Sequence, residues 1–262
     1  MGKTAFAIAA HPDDIEFMMA GTLILLGQAG YELHYMNVAN GSCGTAAMDH
    51  DTIVAVRDQE ARRAAAVLGA AFHPPLVDDL EIYYAPPLVA RLSSVVRRVN
   101  PQVLLLPSPQ DYMEDHANTS RLGVTAAFCR NMRNFASVPP TPCVSGELAL
   151  YHALPWGLRD QLRNPVRSHL YVDVTGVLEP KRQALACHRS QKEWLDRSQG
   201  FDSYLRTMEE MSAEVARMAG RAGFAEGWRR HNHVGFAAES FDPLRDALGE
   251  LVADAAPAKS VT

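Results

Sequence analysis

The sequence predicts an α/β protein: a Rossmann-like, mostly parallel sheet flanked by helices, with a C-terminal elaboration. Three observations carry this. Apolar strand-like runs alternate with helical runs through the first 135 residues, and that order is the pattern of a parallel sheet. The run "VLLLPSP" at 103–109 opens with four consecutive apolar residues, as a strand covered on both faces must. Gly30 and Gly69 each follow a helical run directly, where helix C-caps use glycine.

Residues 4–10 read as a buried strand and 15–29 as a helix that Gly30 stops. A second strand covers 32–38, followed by the polar, glycine-rich loop "NGSCGT" at 40–45. Residues 52–68, rich in alanine and arginine, form a helix closed by Gly69. A strand over 71–77 is interrupted by Pro74 and Pro75, since proline cannot donate to a ladder. A helix over 87–99 leads into "VLLLPSP", and another spans 117–135. Beyond 136 the alternation weakens. "ASVPPTPCVSGE" is a loop, "LALYHAL" and "HLYVDVT" are strands, and 178–194 and 201–219 are helical. The chain therefore divides into a Rossmann-like core over 1–135, an elaboration over 136–252 that shapes the substrate site, and a disordered tail over 253–262. No internal repeat is present.

The totals exclude several classes. Of 262 residues, 47% are hydrophobic and 21% charged, as in an ordinary globular protein. A net charge of -5 leaves no basic excess to neutralise phosphates, so no nucleic-acid partner is expected. No apolar run approaches the roughly 18 residues of a membrane span. The residues before the first motif are too few for a signal peptide. Gly2-Lys3-Thr4 lacks the upstream glycine of a P-loop. Cys43, Cys129, Cys143 and Cys187 are scattered without a CxxC, which fits reduced thiols in a cytoplasmic protein.

The first strand ends on chemistry: "AIAAHPDDIEF" at 7–17 runs into one imidazole and two adjacent carboxylates. In open α/β sheets, ligands sit beyond the carboxyl ends of the strands. "SPQDYMEDH" at 108–116 follows another strand in the same way. Two such ends meeting in one crevice would gather His11, Asp13, Asp14, Asp115 and His116. Two histidines and a carboxylate make a three-ligand set for zinc or a similar ion, and His11, Asp14 and His116 fit it. Asp13 is then a spare carboxylate able to take a proton from a water that the ion activates. Asp115 is placed to orient a ligand. A strand-to-helix turn with a capping aspartate would explain the first cluster alone; the second acid–histidine cluster argues against that plain reading.

The same stretches carry a wider likeness. "AAHPDDIEF" at 9–17, "AGTLILLGQAG" at 20–30, "NGSCGT" at 40–45, "VRDQEARRAAAVLG" at 56–69, "PSPQDYMEDHANTSRL" at 107–122 and, less specifically, "KRQALACHRSQ" at 181–191 resemble the PIG-L / LmbE-like metal-dependent N-deacetylases. The resemblance implies a Zn2+ ion, with Fe2+ or another divalent ion as alternatives, held by His11, Asp14 and His116, and Asp13 as general base. It implies removal of an acetyl group from an N-acetylglucosamine-type amino sugar or its conjugate, by attack of activated water on the amide. Arg57, in the family's "R..E", is expected to touch substrate hydroxyls. Asp79, in "VDDLEI", falls near a substrate-contacting aspartate. Hexamers within the family make a homo-oligomer an expectation too. Two other readings keep the same residues: an amidase of a larger sugar or thiol conjugate, and a metal- or sugar-binding protein without turnover.

One departure stands out. Many members carry His-x-Asp-His at the second cluster, and here the first of those histidines is Met113, whose thioether cannot donate a proton. The expected replacement is His233 in "GWRRHNHVGF", because the apolar "VGF" behind it points into a packed region. An imidazolium there would protonate the departing amine or hold the oxyanion. His152 and His188 are its rivals, and His231 is its neighbour. Trp156 and Trp228 are candidates to stack on a sugar face, against the commoner role of tryptophan in a core.

Overall fold

In the computed structural model, which describes residues 2–192 and 204–255, the first apolar run becomes β1 (Thr4–Ala9), buried at every position. Four strands run parallel to it: β2 (Glu32–Asn37), β3 (Ala70–His73), β4 (Val103–Leu106) and β5 (Ala149–Ala153). Three more, β6 (Leu170–Asp173), β7 (Ala225–Arg230) and β8 (Val252–Asp254), extend the sheet antiparallel. Among the described residues the order is β3-β2-β1-β4-β5-β7-β6-β8. The chain leaves β1 towards β2 and β3, then returns to place β4 on the other side. The sheet therefore reverses its winding between β1 and β4, and a crevice opens at their carboxyl ends.

Helices cover both faces: α1 (Asp14–Met18), α2 (Ala20–Gln28), α3 (His50–Val67), α4 (Pro86–Val99), α5 (Glu114–Phe128), α6 (Leu178–Leu185), α7 (Tyr204–Met218) and α8 (Pro243–Leu248). The two-residue period of a strand sorts the core into two layers. Ala5, Ala7 and Ala9 pack with Leu23, Leu26, Ala61 and Ala65 on one face. Phe6 and Ile8 pack with Leu92, Val96, Leu122 and Ala126 on the other. The α/β architecture, with its mainly parallel sheet between helices, is the one the sequence predicts. Gly30 and Gly69 have φ of 87° and 68°, the left-handed turn expected after a helix.

The boundaries differ in instructive ways. The helix expected over 15–29 is split, because Met19 has φ −135° and ends α1 after little more than a turn. The helix expected from 117 begins at Glu114, which brings His116 into its first turn, and it stops at Phe128. Past that point the buried Arg97 guanidinium donates to the carbonyls of Cys129, Arg130, Met132 and Phe135. Those carbonyls are drawn towards one cation instead of continuing a helical ladder. The sheet also crosses the boundary expected at 136, since β5 pairs with β4 through Val103 and Ala149. β7 has no counterpart in the sequence reading. β8 lies where a disordered tail is expected to start; pairing with β6 holds it, and residues 256–262 fall outside the described part. The expected helix over 178–194 ends at Leu185 as α6, and its last two residues lie outside the described part; the one expected over 201–219 is described from Tyr204. Among the described residues no helix is long and apolar enough to cross a membrane.

Candidate active site

The first cluster is built by a tight turn after β1. Asp14 N–H donates to the His11 carbonyl (3.2 Å), and His11 N–H donates to Asp14 Oδ2 (2.8 Å). Between them Asp13 has φ 109°, a conformation a non-glycine residue adopts at a cost of about 1–3 kcal/mol. Surrounding bonds hold it there: Phe17 N–H donates to the Asp13 carbonyl (3.0 Å), and Arg57 Nη2 to the Pro12 carbonyl (2.5 Å). The turn sends the two carboxylates apart. Asp14 faces His116, while Asp13 faces Arg57, Tyr204 and His188.

The second cluster sits at the start of α5, and two carboxylates orient the two histidines. Asp115 Oδ2 lies 2.9 Å from His11 Nε2 and also accepts Leu80 N–H. Asp111 Oδ1 lies 3.0 Å from His116 Nδ1 and accepts Met113 N–H. Each histidine therefore spends one nitrogen on an acid and turns the other inward. His11 Nδ1 and His116 Nε2 stand 3.6 Å and 3.4 Å from the same oxygen, Asp14 Oδ2. All three donor atoms lie within 4.8 Å of one another. Donors about 2.0–2.2 Å from a tetrahedral zinc are separated by roughly 3.3–3.6 Å, so this set fits such an ion.

The electrostatics point the same way. Burial would lower the His11 pKa, but the hydrogen bonds to Asp115 and Asp14 outweigh it and raise it to about 10. His116 also rises, its burial overcome by the Asp14 charge and by Asp111. Asp14 is held well below the usual carboxylate range: its burial is overcome by His116 and His11. The cluster thus calls for positive charge at its centre, which a divalent cation supplies without protons. Asp13 behaves oppositely. Burial, with the Asp14 charge adding to it, pushes its pKa up to about 6 against the pull of Arg57, His188 and Tyr204. That is close to the range a general base uses at neutral pH.

Arg57 and Asp79 lie around Asp13 and the "NGSCGT" loop. Arg57 is 2% exposed, lies 3.9 Å from Asp13 Oδ1, and is covered by the "NGSCGT" loop, where a Cβ at Gly41 or Gly44 would collide with its guanidinium. Its guanidinium lies beside Asp13 and lines a cavity together with Pro12 and Asn40. Asp79 clamps the same loop, accepting Gly41 N–H (2.7 Å) on one oxygen and Cys43 N–H (2.9 Å) on the other. Both Asp79 oxygens are thereby engaged by the loop.

His233 is not brought to the cluster. β7 runs antiparallel to β5, so the chain leaving it travels towards the amino ends of β4 and β5. His231 N–H donates to the Leu150 carbonyl, and Leu148 N–H donates to the Phe236 carbonyl. His233 thus lies at the end of the sheet opposite the crevice. The "VGF" inference about packing is right for Phe236, which is buried, but the packed region is the wrong one. Of the rivals, His188 is fully buried, with Nε2 3.3 Å from Glu16 Oε1, in a layer behind Asp13. His152 is tied to Ser120 and His231. None of His152, His188 and His233 is among the residues that line the crevice with His116. Trp228 is fully buried and donates to Thr22 Oγ1, so it is core. Trp156 does line the crevice, and Tyr112 stands between it and His116, with ring centroids 6.0 Å and 5.6 Å away.

Two residues of the site escape the sequence reading. Asp111 stands inside "SPQDYMEDH" and follows the same acid-to-histidine logic as Asp115, so its signal was present. Tyr204 donates its hydroxyl to Asp13 Oδ2 in a short hydrogen bond across 191 positions, and nothing around it in the chain marks that role.

A family model described as PIG-L, GlcNAc-PI de-N-acetylase, matches residues 6–127. The chain is 26% identical over 239 residues to diacetylchitobiose deacetylase of Thermococcus kodakarensis, covering 87% of this chain and 82% of that protein. It is 25% identical over 198 residues to 4-oxalmesaconate hydratase of Pseudomonas putida, covering 72% and 74%. The structure of N,N'-diacetylchitobiose deacetylase from Pyrococcus horikoshii aligns with a TM-score of 0.73 at 23% identity, over 93% of this chain and 89% of that one, which shows a shared fold.

Proposed function

The chain carries a PIG-L domain over residues 6–127, and from that premise we propose that it is a metal-dependent hydrolase removing the acetyl group of an N-acetylglucosamine-type amino sugar or its conjugate. The observation that carries the reading is the convergence of His11, Asp14 and His116 on one point with Asp13 left over beside them. A divalent ion held by those three residues, zinc or ferrous iron, would supply Lewis acidity, acidifying a water and polarising the amide carbonyl. Asp13 then takes the proton of the attacking water and passes it to the departing amine. Tyr204 and Arg57 hold the Asp13 carboxylate in place for both transfers. Asp111 and Asp115 keep the imidazole lone pairs aimed inward. Trp156 and Tyr112 offer aromatic walls on which a pyranose ring can stack. The four free thiols support a reducing, cytoplasmic setting.

The test uses N,N'-diacetylchitobiose and N-acetylglucosamine with detection of free amine. Chelation should abolish release and zinc or ferrous iron should restore it, while His116→Ala should lose the ion by plasma mass spectrometry. Amine release indifferent to chelation, or full occupancy in His116→Ala, would remove the metal from the mechanism. A second reading is favoured by one observation: Met113 stands where many members of the resembled family carry a histidine, and a hydratase is among the similar proteins. Addition of water to an unsaturated carboxylate uses the same base and ligands and liberates no amine. Loss of ultraviolet absorbance from such a substrate without amine release would select it.

A further inference from the structure

We propose that the cavity between α5 and β7 is a binding subsite for an acidic group, a carboxylate or a phosphate, on the molecule whose reacting end lies in the metal crevice. The cavity has a volume of about 490 Å³.

The wall of the α5–β7 cavity holds three arginines, Arg121, Arg229 and Arg230, and three histidines, and no aspartate or glutamate. In a chain of net charge -5, that is a local surplus of cations. Arg229 matters most. Its Nη1 donates to Gln110 Oε1 (2.6 Å) and its Nη2 to Ser108 Oγ (2.7 Å), while its Nε is buried without a partner. Both acceptors are neutral, and burial alone lowers its pKa. A guanidinium drawn out of water without a carboxylate leaves its charge uncompensated, which is costly. An entering carboxylate or phosphate matches the planar fork and offsets that cost. Arg121, on the exposed side of α5, lies over the Tyr84 ring at 4.8 Å, at the cavity's edge. Arg230 differs: it donates to the Glu239 and Phe241 carbonyls and stands 3.9 Å from Asp242.

The histidines recognise and do not activate. His152 Nδ1 lies 3.1 Å from the Pro107 carbonyl, which can only accept, so Nδ1 carries the proton. Ser120 Oγ, 3.0 Å from the same nitrogen, then accepts and gains no nucleophilic character. His152 Nε2 in turn accepts from His231 Nδ1 (2.9 Å). The cavity lies beside the metal crevice. α5 presents His116 to the crevice and Ser120 to the cavity, one helical turn or about 6 Å apart. Ser108 lines the crevice and is also an acceptor of Arg229. A substrate of modest length would reach both.

The proposal rests on the hydrolase reading only for what the acidic group is attached to. Its test is calorimetric binding to zinc-loaded Asp13→Asn protein, which keeps sugars from turning over. The probes are N-acetylglucosamine, N-acetylglucosamine 6-phosphate, N-acetylmuramic acid and inorganic phosphate. One or both acidic sugars should bind about tenfold or more tightly than the neutral one, the scale of a charge-assisted hydrogen bond. Which of them does so distinguishes phosphate from carboxylate. Arg229→Gln should erase the preference; Arg121→Gln, at an exposed position that does not threaten folding, should weaken it. Equal affinity for neutral and acidic sugars, or a preference that survives both substitutions, overturns the proposal. Inorganic phosphate separates it from the reading of the crevice. Phosphate binding that persists in His116→Ala and disappears in Arg229→Gln supports the anion subsite even if no sugar is deacetylated. Binding lost in His116→Ala and kept in Arg229→Gln puts the anion on the metal and refutes the subsite.

Discussion

Replacing Asp13 by asparagine should remove turnover and at the same time stabilise the metal-free protein. The carboxyl is pushed from 3.8 up to about 6, with burial the largest cause. The folded chain therefore holds this proton more tightly than the unfolded chain. As pH rises through that window the unfolded state releases its proton first, and stability is lost at about 1.4 kcal/mol per pH unit. By neutral pH the loss is roughly 3 kcal/mol. Asparagine has the same shape, never ionises, and tolerates the positive φ of this position better than most residues. Against the gain stands Arg57, which is 2% exposed and loses its neighbouring charge at 3.9 Å while keeping the Pro12 carbonyl. The net expectation is a gain of about 1–3 kcal/mol at neutral pH. It should vanish below about pH 4, where Asp13 is protonated in both states. Urea unfolding of chelator-treated wild type and Asp13→Asn at the two pH values measures it, with kcat of the metal-loaded forms falling roughly 10²–10⁴-fold. A variant that is less stable than wild type at neutral pH, or a gain independent of pH, would refute the reasoning.

Three further outcomes are expected. Tyr204→Phe removes the hydroxyl that donates to the Asp13 carboxylate, so the charged form loses a partner and the acidic limb of the kcat/KM profile should move up by about one to two pH units; an unmoved limb would detach Tyr204 from the base. His233→Ala should leave kcat, metal content and the pH profile as they are, because the residue lies at the far end of the sheet; a collapse of turnover with metal retained would contradict that placement. Lys181→Met strands Glu226, whose Oε1 the Lys181 ammonium meets at 2.6 Å in a fully buried pair. It should cost about 3–5 kcal/mol in urea unfolding, and adding Glu226→Gln should recover part of it; a variant as stable as wild type would show that the pair does not hold α6 against β7.

The parts of this protein that could be read from its residues are those whose cause lies within a few positions along the chain. β1 and β4 are visible because a strand buried on both faces must be apolar throughout. Gly30 and Gly69 mark helix ends because a left-handed backbone favours glycine. The two acid–histidine clusters are visible because each is a short segment leaving such a strand. β7 is not visible, since its middle reads Glu226-Gly227, which breaks any apolar pattern. Glu226 is buried there because it accepts the N–H groups of Gly21 and Thr22 and pairs with Lys181. Gly227 is needed because a Cβ would collide with Ser168 and Leu154. Both causes lie far along the chain. The same holds for Tyr204 on Asp13, and for the contacts that Arg57 and Asp79 make with the "NGSCGT" loop. His233 shows the distinction most plainly. Its local signal, an apolar segment entering a packed region, was sound, but which end of the sheet that segment reaches depends on β7 running antiparallel to β5. Local pattern reports whether a residue is buried, because burial selects side chains one at a time. The direction of a strand, and so the company its end keeps, is set by the pairing of distant segments, and that is decided only when the whole sheet assembles.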